Sequence, residues 1–167
     1  KTVARYGSAV VVSTEVVAEE VRERLGRLGR RDVPIHVARL PVAEIFAGSA
    51  DQGVEHDLAG HPYFVFCSTI EPRKNHLMIL QIWRDISIRL GADTPKLVIV
   101  GRRGWENENV VDLLERCPAL RPHVVEVSGL STPSVLRVMR GARALLMPSF
   151  GEGFGLPVAE ALTAGVP

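Results

Sequence analysis

Apolar runs of about five residues, several rich in valine, alternate along the chain with longer stretches in which apolar residues recur every three to four positions. The runs AVVVS (9–13), IHVARL (35–40), YFVFCS (63–68), KLVIV (96–100), VVEVS (124–128) and ALLMP (144–148) read as strands. Nearly continuous apolarity is what a parallel strand needs when helices cover both of its faces. The alternation therefore predicts an α/β chain, a doubly wound parallel sheet of Rossmann-like type with right-handed crossovers. In such a sheet ligands sit beyond the carboxyl ends of the strands.

The clearest helix is predicted over residues 75–90, where Met78, Ile79, Ile82, Ile86 and Leu90 share one face. Asn75 is placed to cap it and Gly91 to close it. Ser131 is placed to cap a helix running to residue 142, with Val135, Met139 and Ala142 as its buried stripe. A helix over 14–27 sets Val17, Val21 and Leu25, followed by Leu28, along one side, with Arg22, Arg24 and Arg27, then Arg30 and Arg31, elsewhere. Arginine-rich amphipathic helices can lie on anionic membranes, but Glu15, Glu19, Glu20 and Glu23 cancel most of this charge. The plainer expectation is a sheet-packed helix with a solvated outer face.

Composition narrows the function classes. A formal net charge of +1 over 167 residues argues against a general nucleic-acid binder, which relies on uncompensated Lys and Arg. Two cysteines, Cys67 and Cys117, without CxxC spacing suit free thiols in a reducing compartment and offer neither a disulfide framework nor a zinc site. No apolar run approaches the roughly 20 residues of a membrane span, and the first seven residues do not resemble a signal peptide. A cytoplasmic, non-spanning chain is expected. Residues 47–62, AGSADQGVEHDLAGHP, have no sustained period and read as a linker; Asp51, His56, Asp57 and His61 there form a metal set only on paper, since no fixed frame holds them. The final Gly165-Val166-Pro167 follows a helix and reads as the entry to a further strand, so the chain is expected to be a piece of a larger fold.

Three junctions carry the candidate chemistry. STIEPRKNH (68–76) follows a strand and opens the best helix, so free N–H groups, the guanidinium fork of Arg73 and the point charge of Lys74 meet where a diphosphate would sit. An exposed basic loop is the alternative. GRRGW (101–105) again follows a strand; Gly101 can let backbone approach a ligand, although a simple turn explains it as well. It is neither a GxGxxG fingerprint nor a P-loop. In SFGEGFGLPVAEALTAG (149–165) glycines surround Glu152 in a loop, Pro157 suits the first turn of a helix through residue 164, and Glu160 lies about one turn in. A carboxylate there is a natural acceptor for ribose hydroxyls, while the helix dipole alone also favours a glutamate at that position.

TIEPRKNH, GRRGW, GLSTPSVLRVMRGARALLMPS and EGFGLPVAEALTAGVP, in this order and spacing, resemble the nucleotide-sugar-binding domain of the retaining GT-B glycosyltransferase family with an E-x7-E motif, which includes bacterial mannosyltransferases of lipopolysaccharide and capsule assembly. The resemblance covers about residues 63–167, and 9–46 resemble the end of that family's acceptor domain. It implies a remnant of the acceptor domain at 1–46, an interdomain linker at 47–62 and a truncated donor-binding domain at 63–167. The family pattern implies that Arg73 and Lys74 bind the donor diphosphate, that Glu160 holds the ribose, and that Glu152 with the backbone of Gly153, Phe154 and Gly155 contacts sugar and phosphate. Gly129 and Leu130 would lie near the base.

Also implied are a nucleoside diphosphate sugar as donor and no obligatory metal or other cofactor. The acceptor is expected to be a glycan or lipid-linked, the missing acceptor domain is a partner, and peripheral association of the full-length protein with the inner face of a membrane is left open. The family often has glycine where this chain has Ser68. The rival expectations are an inactive nucleotide-sugar-binding or regulatory module, and a GT-B epimerase or phosphorylase. With most of the acceptor domain missing, the fragment itself is expected to bind donor without turning it over.

Overall fold

The computed structural model describes residues 2–48, 58 and 60–167. It divides into two compact units, Lys1–Pro41 with Glu152–Leu156, and Val42–Gly151 with Pro157–Pro167. Asp51, His56 and Asp57 of the expected linker lie outside the described residues, whereas His61 is described and exposed.

In the first unit a short helix α1 (Thr2–Tyr6), not foreseen from the sequence, precedes β1 (Val10–Val12), α2 (Glu15–Arg27) and β2 (Ile35–Val37). β1 and β2 are parallel, Val10 opposite Ile35. β2 is shorter than the apolar run predicts. Ala38 N–H still donates to Val12, but the run then reaches Pro41, which has no N–H to donate. The Thr14 side chain accepts the Val17 N–H at 3.3 Å and caps α2. Of the predicted stripe, Leu25 is buried, Val17 and Val21 are half-buried and Leu28 is exposed; Ala18 completes the packed face. Leu28 misses burial because it is already the C-cap of α2.

In the second unit β3 (Tyr63–Cys67), β4 (Lys96–Val100) and β5 (Val124–Val127) form a parallel sheet in that order. Its helices are α3 (His76–Leu90), α4 (Glu108–Arg116), α5 (Thr132–Gly141) and α6 (Leu156–Thr163), the last beginning at the junction with the first unit. Side chains alternate across the sheet as strand geometry requires. Tyr63, Val65, Cys67, Val98 and Val100 pack with Leu136, Val138, Met139 and Ala161 in one core. Phe66, Leu97 and Ile99 pack with Ile79, Leu80 and Trp83 in the other. Phe46 and Leu58, at the edges of the expected linker, are also buried in the first of these cores.

Two expectations are corrected here. Residues 144–148 form no full strand: Leu145 makes a single parallel bridge to Val65. The segment also hands its Leu145 N–H to Pro167, and Pro148 ends it without a donor. It nonetheless lies along the free edge of β3, with Val65 N–H donating to Ala144 at 3.1 Å and Leu146 N–H to Val65 at 2.8 Å. The chain thus builds outward from β3 through β4 to β5, then returns to the other side of β3, making that edge the switch point of a doubly wound sheet.

The second correction concerns α3. Ile79 alone of the predicted stripe is buried, and the inward face carries His76, Leu80, Trp83 and Ser87 instead. Both stripes have helical spacing, and the one with Trp83 wins because an indole removes more apolar surface from water. Its ring meets Phe64 edge-on at 5.7 Å, and its N–H donates to Pro95 at 2.9 Å.

Candidate functional site

The residues after β3 run directly into the switch point. Ser68 N–H extends the β4 ladder by one bond, to Val100, and Pro72–Lys74 then form a 3-10 turn before α3. Asn75 does not cap α3 as expected. It takes a left-handed conformation (φ 60°) and its Nδ2 donates to Pro148 at 3.2 Å, leaving the helix N-terminus without a side-chain cap. Phe150 N–H donates to the Arg73 carbonyl at 2.9 Å, and Arg73 Nη1 donates to the Gly151 carbonyl at 2.7 Å. Arg73 Nη2 pairs with Glu71 at 2.8 Å, and half of the Arg73 side chain stays exposed. Glu71 and Gly151 thus hold the fork from two sides at the carboxyl ends of β3 and of segment 144–148. Lys74 follows on the same turn.

Sequence reasoning named STIEPRKNH but gave no role to His76. Its ring is 1% exposed, stacks on Phe66 at 4.2 Å, and brings Nε2 to 3.3 Å from Ser68 Oγ. Burial, reinforced by the charge of Lys74, lowers its pKa to about 4, so it is neutral near pH 7. The signal was available in the spacing, since His76 precedes Ile79, Leu80 and Trp83 on their face.

GRRGW is held in the fold through Gly101, Arg103 and Gly104, while Trp105 is exposed. Gly101 N–H donates to Val127, and a Cβ on Gly101 would lie 1.8 Å from the Ser68 carbonyl oxygen, so crowding of backbone on backbone accounts for glycine there. The Arg103 fork grips Glu126 through Nε and Nη2, both at 2.9 Å, and Nη1 reaches Glu115 at 2.6 Å. Beyond β5, Gly129 has φ 73° and Leu130 is half-buried against the core.

Glu160 stands within α6 and is half-buried. Burial raises its pKa above the ordinary 4.5. Cys67 at the end of β3 senses that carboxylate: burial first, then the charge of Glu160, push the thiol up to about 12. Glu160 is therefore within electrostatic reach of Cys67, which is an inert, protonated thiol. Glu152, Gly153, Phe154 and Gly155 group with the first unit, where the hydroxyls of Ser13 and Thr14 both donate to the Gly153 carbonyl, at 3.0 and 3.2 Å. Gly155 has φ 80°, a conformation that favours glycine. Among the described residues there is no cluster of three metal-ligating side chains, and no helix long and apolar enough to cross a membrane.

The family described as "Glycosyl transferases group 1" matches residues 61–167, the span that holds β3 through α6. The chain belongs to that family. O-antigen chain mannosyltransferase B of Escherichia coli is 35% identical over 114 residues, covering 68% of this chain and 29% of the relative. Serotype-specific mannosyltransferase WbdA of Escherichia coli is 33% identical over 114 residues, covering 66% of this chain and 13% of the relative. The chain thus spans less than a third of the length of these group 1 relatives. Among solved structures, Anabaena Alr3699/HepE in complex with UDP and glucose superimposes with a TM-score of 0.76 at 14% identity, over 99% of this chain and 44% of that one. At that identity the likeness establishes the fold, a partial Rossmann-like domain of the GT-B type.

Proposed function

We propose that this group 1 chain forms the donor-binding part of a glycosyltransferase that moves a sugar, mannose by preference, from a nucleoside diphosphate to a hydroxyl of a glycan or lipid-linked acceptor. The observation that carries this reading is the Arg73 fork held by Glu71 and Gly151 at the switch point, beside an uncapped helix N-terminus. The mannosyltransferase relatives support the choice of sugar.

In this reading Arg73 and Lys74 bind the diphosphate, Glu160 accepts hydrogen bonds from the ribose hydroxyls, and Glu152 with Gly153, Phe154 and Gly155 orients the sugar. Gly129 and Leu130 lie toward the base, and Gly101 shapes the floor by letting Ser68 approach. The bond from the anomeric carbon to the phosphate oxygen breaks, a bond to the acceptor oxygen forms on the same face, and the configuration is retained. Charge grows on the departing diphosphate, and Arg73, Lys74 and the α3 N–H groups stabilise it electrostatically. A phosphate oxygen of that leaving group takes the acceptor proton. No residue here is required as a hydrolase-type nucleophile, and no metal is required by the reading.

The domain reading is likewise a proposal: residues 1–46 close an acceptor domain, 47–62 link, and 63–167 hold donor. The 167 residues are proposed to bind donor without steady transfer, at a cytoplasmic site on or near the inner face of a membrane. Steady sugar transfer by the purified chain would contradict that part.

Glu160 supplies the test of the ribose assignment. Ribose hydroxyls donate to the ionised carboxylate, so proton binding competes with nucleotide binding. Because burial raises the Glu160 pKa above 4.5, affinity should begin to fall at a higher pH than an ordinary glutamate would dictate, and keep falling as pH drops. Calorimetric titration with GDP from pH 7 downward should show this loss in the wild type. Glu160→Gln should bind about tenfold more weakly at pH 7, as expected for a lost charge-assisted hydrogen bond, and should lack this component of the pH dependence. Unchanged affinity and an unchanged profile in Glu160→Gln would remove Glu160 from the site.

A further inference from the structure

We propose that the Ser68 hydroxyl, oriented by the buried His76, is an additional hydrogen-bond donor to the donor's diphosphate and raises affinity for it. This rests on the donor-site reading above and concerns two residues to which that reading gives no contact with the donor.

Ser68 is the first residue past the carboxyl end of β3, half-buried, five positions before Arg73 and at the switch point. Its Oγ lies 3.3 Å from His76 Nε2 and 3.3 Å from the carbonyl oxygen of Thr69. His76 is sealed in the core against Phe66, and its Nδ1 has no hydrogen-bond partner among the described residues. A buried imidazole with one nitrogen unpaired is costly, and a phenylalanine or leucine would fill the same space without that cost. Among the described residues the hydrogen-bond contact of its ring is to Ser68.

The neutral ring has one proton to place. On Nδ1 it would be a buried N–H without an acceptor, which folded proteins almost never tolerate; on Nε2 it donates to Ser68 Oγ. The serine proton is then barred from pointing at His76. In the free chain it has the Thr69 carbonyl, at a length well beyond the 2.7–2.8 Å usual for O–H···O bonds. A phosphate oxygen at the crevice is a better acceptor, charged and free to approach. His76 therefore sets Ser68 as donor and not acceptor, the polarity an anion requires.

The experiment is a binding series on the 167-residue chain with GDP, guanosine and inorganic pyrophosphate, run on Ser68→Ala, His76→Leu, His76→Gln, the Ser68→Ala/His76→Leu double variant and, in parallel, Arg73→Ala. Ser68→Ala and His76→Leu should each weaken GDP and pyrophosphate binding about five- to tenfold and leave guanosine binding unchanged. The double variant should lose no more than either single, because the two act through one hydrogen bond. His76→Gln, whose Nε2 can reach the same oxygen, should recover most of the loss.

The 15N spectrum of His76 in the wild-type chain supplies a reading independent of any variant's folding: protonation at Nε2, with a shift change when pyrophosphate is added. An Nδ1-protonated ring, or Ser68→Ala binding like wild type while Arg73→Ala is weakened, overturns the Ser68 assignment and leaves the donor site standing. If Arg73→Ala is also without effect, the donor site falls and the inference falls with it.

Discussion

Arg73→Ala should weaken GDP binding to this chain by about 100-fold while changing guanosine binding less than about twofold. Hydrogen bonds from an ionised donor to an ionised acceptor contribute roughly 1.5–3 kcal/mol each, and a factor of 100 corresponds to about 2.7 kcal/mol. Removing the guanidinium also leaves the Glu71 carboxylate, now held by Arg73 at 2.8 Å, beside an incoming diphosphate. That repulsion adds to the loss. The loop after segment 144–148 should stay in place, because the Phe150 N–H bond goes to the backbone carbonyl of Arg73 and survives the substitution.

Arg73 is half-exposed but the Glu71 side chain is only 15% exposed, so removing the guanidinium also leaves a mostly buried carboxylate without this partner, at a cost of roughly 1–3 kcal/mol. Thermal melts should therefore show a modest loss of stability while the variant stays folded and affinity collapses. Arg73→Lys should recover only part of the binding, since an ammonium lacks the planar fork. Isothermal titration beside a melting curve is the check, and equal loss for GDP and guanosine would mean that Arg73 faces something other than the phosphates.

Gly101→Ala should destabilise the protein by about 3 kcal/mol or more, beyond the usual range for one added methyl. The added Cβ would come within 1.8 Å of the Ser68 oxygen and 2.7 Å of the Ser68 carbonyl carbon, both backbone atoms. Neither side can yield cheaply. Ser68 N–H is tied to Val100, and Gly101 N–H to Val127. If the variant folds, the ends of β3 and β4 must part, Ser68 moves, and GDP binding weakens as well. Gly153→Ala provides the contrast, since among the described residues its Cβ would meet Ser13 Oγ at 3.9 Å and nothing nearer. Chemical denaturation should place Gly153→Ala within about 0.5 kcal/mol of wild type. Equal stability for Gly101→Ala would show that the strand ends are not packed as described.

The strands that read as strands were the nearly continuous apolar ones, because burial on both faces leaves few polar positions to confuse the period. Tyr63–Cys67 and Lys96–Val100 were legible almost to the residue. Residues 144–148 have the same composition but divide their hydrogen bonds between Val65 and Pro167, a partition that depends on distant neighbours. The face of α3 was ambiguous because two stripes fit one period, and only the site waiting for Trp83 beside Phe64 chooses between them.

Of the candidate site, the place of the Arg73 turn, between β3 and α3, was legible from the strand-to-helix junction. Its anchoring by Glu71 and Gly151 was not, since no local pattern reports a bond across 78 positions. Gly101 looked like a ligand-facing glycine, while in the fold its missing side chain accommodates Ser68. Asn75 has the right residue type for a helix cap, but the tight turn before it forces a left-handed backbone and turns its side chain to Pro148. His76 was given no role although its spacing places it on the face of Ile79, Leu80 and Trp83; what the spacing does not report is its contact with Ser68.

The central claim is that these residues form a donor site for a nucleoside diphosphate sugar. Titration of the folded 167-residue chain with UDP, GDP and ADP, followed by calorimetry, tests it most directly. The account predicts saturable binding of one nucleotide per chain, strongest for GDP and lost in Arg73→Ala. A chain that is folded by circular dichroism and binds none of the three would contradict it.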